Sequence, residues 1–493
     1  MKLVDVPAEV VRCRNLIGGE WRDATGGETR DVVSPYTGEV VGTVPMSGPR
    51  DVAATVEAAQ RASEGWGRTP LKERTQLLFR YRELVLRDLE ALSQCAALEA
   101  GKTVGEARAG ILKGVEVIEF ALSLQNLDDG GALEVSRGVT CEVKREPLGV
   151  VAGITPFNFP AMVPMWLYPI AVTVGNAFVL KPSEKVPMTA CMQGALMTEA
   201  GFPPGVFSVL HGGRETVEAL IDQPDLRALG FVGSSAAAKS VYLRAAQHGT
   251  RALCLGGAKN VLMVTPDADP AITIPGVVAS FTGCAGQRCM AASLLVAVGD
   301  VDHILDGIVE RAAAVQLGRD MGAIIDHGAR DRIVRDVTRA MEEGAKLRLD
   351  GRTPTAPDGY ERGAWMGATI LDHATIGMEC ATKELFGPVV TIVRARNLDE
   401  ALKIEASLGY GNATSVFTSS GAVARHVADR ATSGMIGINV GVPVPREPFS
   451  FGGTKASRFG AGDITGRQGV EHWTWLKKIT TKWQLQSDAT WMG

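Results

Sequence analysis

The longest uncharged stretch of the chain, residues 149–180, places the strongest constraint on its fold. It carries no charged side chain until Lys181 and is long enough to cross a bilayer. However, prolines at positions 156, 160, 164 and 169 would interrupt a membrane helix repeatedly. The ends of the stretch, "GVVAGI" and "AFVLKP", have the pattern of short buried strands. We therefore predict a strand, a loop, a buried helix and a second strand inside a protein core, rather than a transmembrane segment.

Short apolar segments alternate with helical patterns along the rest of this region. The strand candidates are 150–154, 177–181, 206–210, 228–232, 251–255, 261–264 and 294–298. Helical patterns fall at 187–200, 214–222, 235–247 and 270–284, and before this region at 50–66, 71–100 and from Gly101 to about 125. The alternation predicts an α/β protein built on parallel sheets that are covered by helices.

Composition limits the classes of function. A chain of 493 residues with 45% hydrophobic and 22% charged residues predicts two or three domains with large cores. The net charge of −4 gives no basic face for nucleic acid. The eight cysteines have no disulfide-framework spacing and the N-terminus lacks a signal-peptide pattern, so we expect free thiols and a cytoplasmic location.

Two segments alternate strongly without an obvious partner in the predicted sheets. They are residues 127–147, with "VTCEVKRE", and the C-terminal 473–493, with "WTWLKKITTKWQLQ". We expect them to pair with each other, at a sheet edge or across a subunit interface.

The sequence "FTGCAGQRCMAAS" holds two cysteines among small residues that let a ligand approach the backbone closely. Cys289 follows Arg288 in a glycine-interrupted turn, a setting in which a thiol can be activated as a nucleophile. Cys284 lies inside the preceding helical pattern, where a small apolar residue would serve equally well. The residues alone leave open whether Cys289 is catalytic or a buried structural cysteine.

Polar residues also follow several predicted strands. In "ITPFNFP", prolines and aromatics hold Asn158, whose amide would suit either an oxyanion site or a turn. "KPSEKVP" places Lys181 and Glu184 at a strand end, where α/β sheets bind ligands but where loops are also solvated. "FVGSS" places Ser234 at a helix start, an anion-binding position.

Taken in order, "ITPFNFPAMVPMW", "KPSEKVP", "FVGS", "LGGAKN", "GQRCMA", "ELFGP" and "GINVGVPVP" resemble the aldehyde dehydrogenase superfamily over almost the whole chain. The sequences of these motifs are most similar to those of the methylmalonate-semialdehyde dehydrogenases. The resemblance implies a Rossmann-like NAD-binding domain at 1–126 and 148–254, a catalytic domain at 255–443, and a return to the NAD-binding domain at 444–472. Segments 127–147 and 473–493 become a small β oligomerisation extension of a homodimer or homotetramer.

The resemblance also implies roles for particular residues. Cys289 matches the nucleophile and Asn158 the amide that holds the oxyanion. Positions that match the cofactor site are Thr155, Phe157, Lys181, Glu184, Lys185, Ser234, Gly256 and Glu384. A carboxylate facing the adenosine ribose favours NAD over NADP. A metal site from Cys284, Cys289 and a histidine lacks ligand spacing, and none is expected.

The absence of one residue indicates which molecule accepts the acyl group. Hydrolytic members of the superfamily carry a glutamate at the head of the "LGG" motif to activate water, but here "RALCLGGAKN" offers Cys254 or Leu255, depending on the alignment. The resemblance therefore implies transfer of the acyl group to coenzyme A. A hydrolytic enzyme with another base and a catalytically silent homologue are the alternatives.

Two cationic residues indicate which substrate the resemblance implies. The family often has an arginine where this chain has Lys113, which keeps the charge but loses the bidentate fork. With Arg288, that position would hold the carboxylate of malonate or methylmalonate semialdehyde. Arg288 could instead lower the pKa of the neighbouring thiol or lie on the surface.

Overall fold

A computed structural model describes residues 2–126 and 130–483. The parts of the two predicted β segments at 127–129 and 484–493 lie outside the described residues. The strands, in chain order, are β1 Val11–Arg12, β2 Asn15–Ile17, β3 Glu20–Arg22, β4 Thr29–Val33, β5 Val40–Pro45, β6 Gly131–Ser136, β7 Val139–Pro147, β8 Val150–Ile154, β9 Ala177–Lys181, β10 Phe207–Val209, β11 Leu226–Val232, β12 Arg251–Leu255, β13 Asn260–Val264, β14 Ala292–Val298, β15 Lys346–Leu349, β16 Thr369–Asp372, β17 Val389–Ala395, β18 Tyr410–Gly411, β19 Ala413–Phe417, β20 Met435–Ile438, β21 Thr454–Lys455, β22 Arg458–Phe459 and β23 Thr474–Lys482.

The α-helices, in chain order, are α1 Pro49–Trp66, α2 Leu71–Arg87, α3 Leu89–Ala100, α4 Val104–Ser123, α5 Met162–Thr173, α6 Met188–Glu199, α7 Arg214–Ile221, α8 Ser235–Gln247, α9 Pro270–Thr282, α10 Asp302–Ala313, α11 His327–Glu342, α12 Glu379–Thr382, α13 Leu398–Ser407, α14 Gly421–Arg430 and α15 Gly466–His472. Short 3₁₀ turns occupy Leu124–Asn126 and Gly283–Gly286.

The larger sheet has the strand order β22-β12-β11-β8-β9-β10-β2-β3. From β12 to β10 all neighbours are parallel, so their carboxyl ends share one edge. Strands β8 and β9 are buried along their whole length, as expected where helices cover both faces of a parallel sheet. The α/β prediction is confirmed.

The uncharged stretch 149–180 folds as predicted. It forms β8, the wholly buried helix α5 and β9, and the two strands pair in parallel. Within the described ranges, no helix is both long enough and apolar enough to cross a membrane.

A second sheet has the order β15-β16-β17-β14-β13-β19-β20 and is parallel except at β15. Strands β13 and β14 are neighbours at its centre, and β13 follows β12 of the larger sheet after the short "GGAK" connection. The connection therefore joins the two sheets directly.

The two alternating segments pair with each other, as predicted. β23 lies antiparallel to β7 from Thr474 opposite Pro147 to Lys482 opposite Val139, and β6 completes a three-stranded sheet.

Two helix predictions need correction. Residues 71–100 form two helices, because the chain leaves helical geometry at Asp88, which ends α2 and precedes α3. The helix predicted at 270–284 ends at Thr282, because Cys284 and Ala285 have φ of 53° and 52°, in the left-handed region that no α-helix of L-residues continues through.

Candidate active site and cofactor cleft

The shared carboxyl edge of β8, β9 and β11 opens into a cavity of about 710 Å³, here named the cofactor cavity. It is lined by six of the residues that the sequence assigned to the cofactor: Thr155, Phe157, Lys181, Glu184, Lys185 and Ser234. Such crevices at strand ends are where open α/β sheets bind nucleotides. The fold therefore collects these residues around one ligand-sized space, and the space suits the adenosine half of a dinucleotide.

Glu184 is flanked by cations. Its Oε2 lies 3.5 Å from Nζ of Lys181, and its Oε1 lies 3.6 Å from Nη1 of Arg30 on β4. Burial lowers the pKa of Lys181, and the carboxylate of Glu184 opposes that shift. Lys185 pairs instead with Asp326 at 2.6 Å. Glu184 thus presents a carboxylate to this part of the cavity, and its charge is balanced from two sides.

Ser234 is the N-cap of α8, where its hydroxyl accepts the Ala237 N–H at 3.4 Å. The next residue, Ser235, accepts the Gly257 N–H at 2.9 Å and donates to the carbonyl of Ala456. A Cβ on Gly256 would meet Ala456 O and Ser235 Oγ, each at 2.6 Å. Gly256 therefore lies beside the start of α8 rather than in the cofactor cavity, and only glycine fits there.

Glu384 contacts the "GGAK" connection that joins the two sheets. One carboxylate oxygen accepts the Ala258 N–H at 3.1 Å, and the other would overlap a Cβ on Gly257. Burial raises the pKa of Glu384 to about 7, although the Ala258 N–H and Lys259 oppose the shift. This carboxyl group therefore titrates near neutral pH in a buried position.

The turn before Cys289 is a run of left-handed backbone. After Cys284 and Ala285, Gly286 also has a positive φ of 67°, and a Cβ on it would overlap the carbonyl of Gly387. The Cys284 N–H donates to Oε1 of Glu106 at 2.6 Å, and Glu106 also completes a capping box with Thr103 at the start of α4. A carboxylate from a distant helix thus fixes the turn, a role that the sequence did not predict.

Two asparagines hold the backbone of Cys289 itself. Its carbonyl accepts from Nδ2 of Asn260 at 2.7 Å and from Nδ2 of Asn412 at 2.9 Å. Asn260 is the last residue of the "LGGAKN" motif, so the sequence gave a reason to expect it near the site. Asn412 lies in no such motif. Both amides restrain the orientation of the residue that bears the thiol.

The thiol of Cys289 is half-buried, and its pKa is raised to about 12. Burial is the main cause and the charge of Glu384 adds to it, while the residue's own N–H, Arg288 and Lys102 lower it. The thiol is therefore protonated at neutral pH. Cys284 is buried, and burial raises the pKa of its thiol as well, which agrees with a structural role.

Lys102 is a buried cation beside this turn that sequence reasoning missed. Its Nζ lies 3.1 Å from the ring centre of Phe159, a cation–π contact. Burial lowers its pKa, while Cys284 and Glu106 raise it. Its position next to Gly101 gave no sequence signal of proximity to the thiol.

Asn158 lies in the loop that follows β8 and is buried. Its Nδ2 donates to the carbonyl of Gln287 at 3.0 Å, two residues before Cys289. The Gln287 side chain in turn accepts the Ile325 N–H at 2.9 Å and donates to the carbonyl of Ala323 at 3.1 Å. The second N–H of the Asn158 amide has no hydrogen-bond partner among the described residues, and it lies beside the turn that carries the thiol.

Side chains along β12 alternate between two hydrophobic clusters. Leu253 and Leu255 pack in the same hydrophobic cluster that Cys289 packs against, whereas Cys254 belongs to the cluster on the opposite face. Leu255 is therefore the residue that faces the thiol side of the sheet, and Cys254 does not.

The two predicted substrate cations are both already engaged. The guanidinium of Arg288 donates to the carbonyls of Ala279 and Ser280 at the end of α9, so it caps that helix and is half-buried. Nζ of Lys113 lies 2.8 Å from Glu116 and 3.8 Å from Glu447. A substrate carboxylate at Lys113 would have to compete with these two side chains.

The charge of Glu384 gives a prediction about thiol reactivity without cofactor. Glu384→Gln removes a negative charge that raises the Cys289 pKa, so the thiolate fraction rises and iodoacetamide should alkylate Cys289 faster above pH 7. In both proteins the rate should increase about tenfold per pH unit between 7 and 9, because the pKa lies far above that range. Mass spectrometry of the Cys289 peptide measures the rate.

Glu379→Gln is the matched control, because this carboxylate pairs with Arg339 and Lys383 outside the cleft. An unchanged or slower alkylation in Glu384→Gln would contradict the electrostatic assignment.

The chain matches the model of the aldehyde dehydrogenase family over residues 21–479. Malonate-semialdehyde dehydrogenase 3 of Geobacillus kaustophilus (strain HTA426) is 40% identical over 97% of this chain and 100% of its own length. The mitochondrial acylating methylmalonate-semialdehyde dehydrogenase of Arabidopsis thaliana is 43% identical over 96% of this chain and 79% of its own length. The NAD complex of a Sinorhizobium meliloti 1021 protein assigned to the methylmalonate-semialdehyde dehydrogenases superposes with a TM-score of 0.95 at 37% identity, covering 98% of this chain and 100% of that one. The chain therefore belongs to the aldehyde dehydrogenase family.

Proposed function

We propose that this protein oxidises a malonate- or methylmalonate-semialdehyde-like aldehyde with NAD and passes the acyl group to coenzyme A. The observation that carries the proposal is the apolar Leu255 on the thiol side of β12, where a hydrolytic enzyme needs a carboxylate. The names of two similar relatives, malonate- and acylating methylmalonate-semialdehyde dehydrogenase, agree with it.

The cofactor cavity fits NAD. Glu184 would accept from the hydroxyls of the adenosine ribose, Ser234 and the start of α8 would contact the pyrophosphate, and Glu384 would hold the nicotinamide ribose. Bound there, NAD supplies a hydride acceptor next to Cys289. The residues of the chain do the rest: they position the aldehyde, form the covalent bond and stabilise its charge.

The first covalent step belongs to Cys289. Its thiol loses its proton, and the Sγ thiolate adds to the aldehyde carbonyl to form a thiohemiacetal alkoxide. The free N–H of the Asn158 amide and the backbone N–H of Cys289 stabilise that alkoxide. Transfer of the hydride from carbon then restores the carbonyl as a thioester on Cys289.

The second step releases the acyl group. Leu255 cannot remove a proton from water, so hydrolysis of the thioester is slow. The thiolate of coenzyme A attacks the thioester carbonyl without needing such a base, Cys289 leaves as thiolate, and an acyl-CoA is formed.

Substitutions of the two catalytic residues should differ in severity. Cys289→Ala removes the atom that forms the covalent bond, so NADH production should fall to background. Asn158→Ala removes one oxyanion donor and should lower kcat by about 10²–10³-fold, with intact folding by circular dichroism. Full NADH production by Cys289→Ala would contradict the nucleophile assignment.

A carboxylate at the Leu255 position should restore hydrolysis. Leu255→Glu should produce free acid and NADH without coenzyme A, while the wild type makes acyl-CoA and turns over slowly without it. Product analysis by liquid chromatography with and without coenzyme A measures the change.

Two controls accompany this variant. Leu255→Gln has the same shape without a base and should not gain hydrolysis. Cys254→Glu faces the other cluster and should lose stability without gaining hydrolysis. Full-rate formation of free acid by the wild type without coenzyme A would instead establish the hydrolytic alternative.

Lys113 and Arg288 are proposed to hold the substrate's carboxylate. Lys113→Met should raise KM for malonate semialdehyde by about tenfold and leave KM for propanal unchanged, because only the former carries an anionic tail. Lys113→Arg should retain most of the discrimination, since it keeps the charge. An equal change for both aldehydes would show that Lys113 acts only through its pairs with Glu116 and Glu447.

We also propose the domain division stated from the sequence and assembly as a homodimer or homotetramer. The three-stranded sheet of β6, β7 and β23 supports self-association, because it exposes Leu133, Val135, Trp475 and Leu476.

A further inference from the structure

Three free cysteines, here named the thiol cluster, lie together away from the cofactor cavity. Cys13 precedes β2 and is buried, Cys95 lies on α3, and Cys191 lies in the first turn of α6. All three pack in one hydrophobic cluster, although they come from distant parts of the chain. The proposed reaction uses none of these thiols.

Cys191 has a histidine partner. Its Sγ lies 3.3 Å from Nε2 of His211, which follows β10 and is wholly buried. The backbone N–H of His211 donates to Oδ1 of Asn15 at 2.8 Å, whereas the ring Nδ1 has no hydrogen-bond partner in the part of the chain that the structure describes. A neighbouring imidazole is one of the groups that activate a cysteine as a nucleophile. The sulfur and the buried ring therefore form a cysteine–histidine pair outside the active site.

Cys13 lies beside the same sulfur. Sγ of Cys191 is 3.8 Å from the carbonyl oxygen of Arg14, the residue after Cys13, and the two thiol side chains form a hydrogen bond. This bond is the main cause of a pKa of Cys191 below its ordinary value; burial opposes the shift, and His211 adds to it. The same bond, followed by burial, raises the pKa of Cys13. Cys191 is thus the sulfur that ionises first, and Cys13 is the thiol that donates to it.

We infer that Cys191 and Cys13 form an oxidation site for hydrogen peroxide, in which Cys191 is oxidised first and Cys13 then closes a disulfide with it. Cys191 is half-buried, so a molecule as small as peroxide can reach its sulfur, whereas Cys13 is shielded. The contact between the two side chains places the second thiol where it can resolve the oxidised first one. The site does not depend on the proposed function.

The chemistry has two steps. The Sγ thiolate of Cys191 attacks one oxygen of hydrogen peroxide, the O–O bond breaks, and a sulfenic acid and hydroxide form. The thiol of Cys13 then attacks that sulfur, an S–S bond forms, and the hydroxyl group leaves with the thiol proton as water. Overall, two thiols are oxidised and one peroxide is reduced, which gives one disulfide and two molecules of water.

The test treats the full chain with about one equivalent of hydrogen peroxide at neutral pH, blocks the remaining thiols with iodoacetamide and maps tryptic peptides by mass spectrometry. Trypsin places Cys13 in the peptide 13–14 and Cys191 in the peptide 186–214. The wild type should yield these two peptides joined, and dithiothreitol should separate them. Cys13→Ser cannot close the bond, so it should leave Cys191 as a sulfenic acid that dimedone labels.

Cys95→Ser is the matched control, because it removes the third thiol of the same cluster and should leave the joined peptides unchanged. His211→Gln fills the buried space without an imidazole. In the Cys13→Ser background it should slow dimedone labelling of Cys191 about tenfold, the effect of a rise of one unit in the thiol pKa. The cysteine variants test the site even if this substitution prevents folding.

Joined peptides in the wild type and in Cys95→Ser, with dimedone on Cys191 in Cys13→Ser, support the site. A disulfide between Cys191 and Cys95 overturns the choice of partner, and dimedone on Cys13 in Cys191→Ser overturns the order of oxidation. Oxidation of Cys289 while Cys13 and Cys191 remain free thiols overturns the site itself. An unchanged rate in His211→Gln overturns the role of the histidine. None of these measurements involves acyl transfer, so the proposed function is tested separately.

Discussion

The chemistry of this protein depends on how firmly the backbone of residues 284–289 is held. Glu106 accepts the N–H of Cys284 at one end, and Asn260 and Asn412 donate to the carbonyl of Cys289 at the other. These contacts come from α4, β13 and the residue that precedes β19, so the turn is fixed by the second sheet and by a helix. Such fixing would keep the proposed nucleophile, Cys289, and its oxyanion donors in the reactive geometry without reorganisation during the reaction.

The same arrangement sets the reactivity of the thiol. Burial and, next, the charge of Glu384 raise the pKa of Cys289 to about 12, so the sulfur is protonated at neutral pH. Since the pKa of Glu384 is itself raised to about 7, the charge that opposes thiolate formation is present above neutral pH and diminishes below it.

Much of this site was predictable because its residues lie at the carboxyl ends of parallel strands. Neighbouring parallel strands end at or just before three of its residues, Thr155, Lys181 and Ser234. The motifs that contain these residues therefore predicted that they line one cavity. The choice between Cys254 and Leu255 was not predictable, because a shift of one residue in alignment turns a side chain to the other face of a strand. The packing of β12 supports Leu255, which belongs to the cluster that Cys289 contacts.

Other features depend on contacts across long stretches of chain. Glu106 lies about 180 positions from Cys284, whose N–H it accepts. Asn412 and Lys102 lie about 120 and 190 positions from Cys289, which they contact or influence. No local sequence pattern indicates such proximity. The left-handed turn at Cys284 was hidden for a different reason. Helical periodicity continued through it, and two of its three residues are not glycine. Arg30, on a short strand near the N-terminus, had no motif at all.

The account requires that the sulfur of Cys289 carry the acyl group during turnover. Trypsin cleaves after Arg288 and so separates the Cys289 peptide from the one that contains Cys284. The decisive measurement is mass spectrometry of enzyme quenched within the first turnover with malonate semialdehyde and NAD but no coenzyme A. The account predicts an acyl mass on the peptide that begins at Cys289 and its disappearance when coenzyme A is added. NADH release in the same reaction without any adduct on that peptide would contradict it.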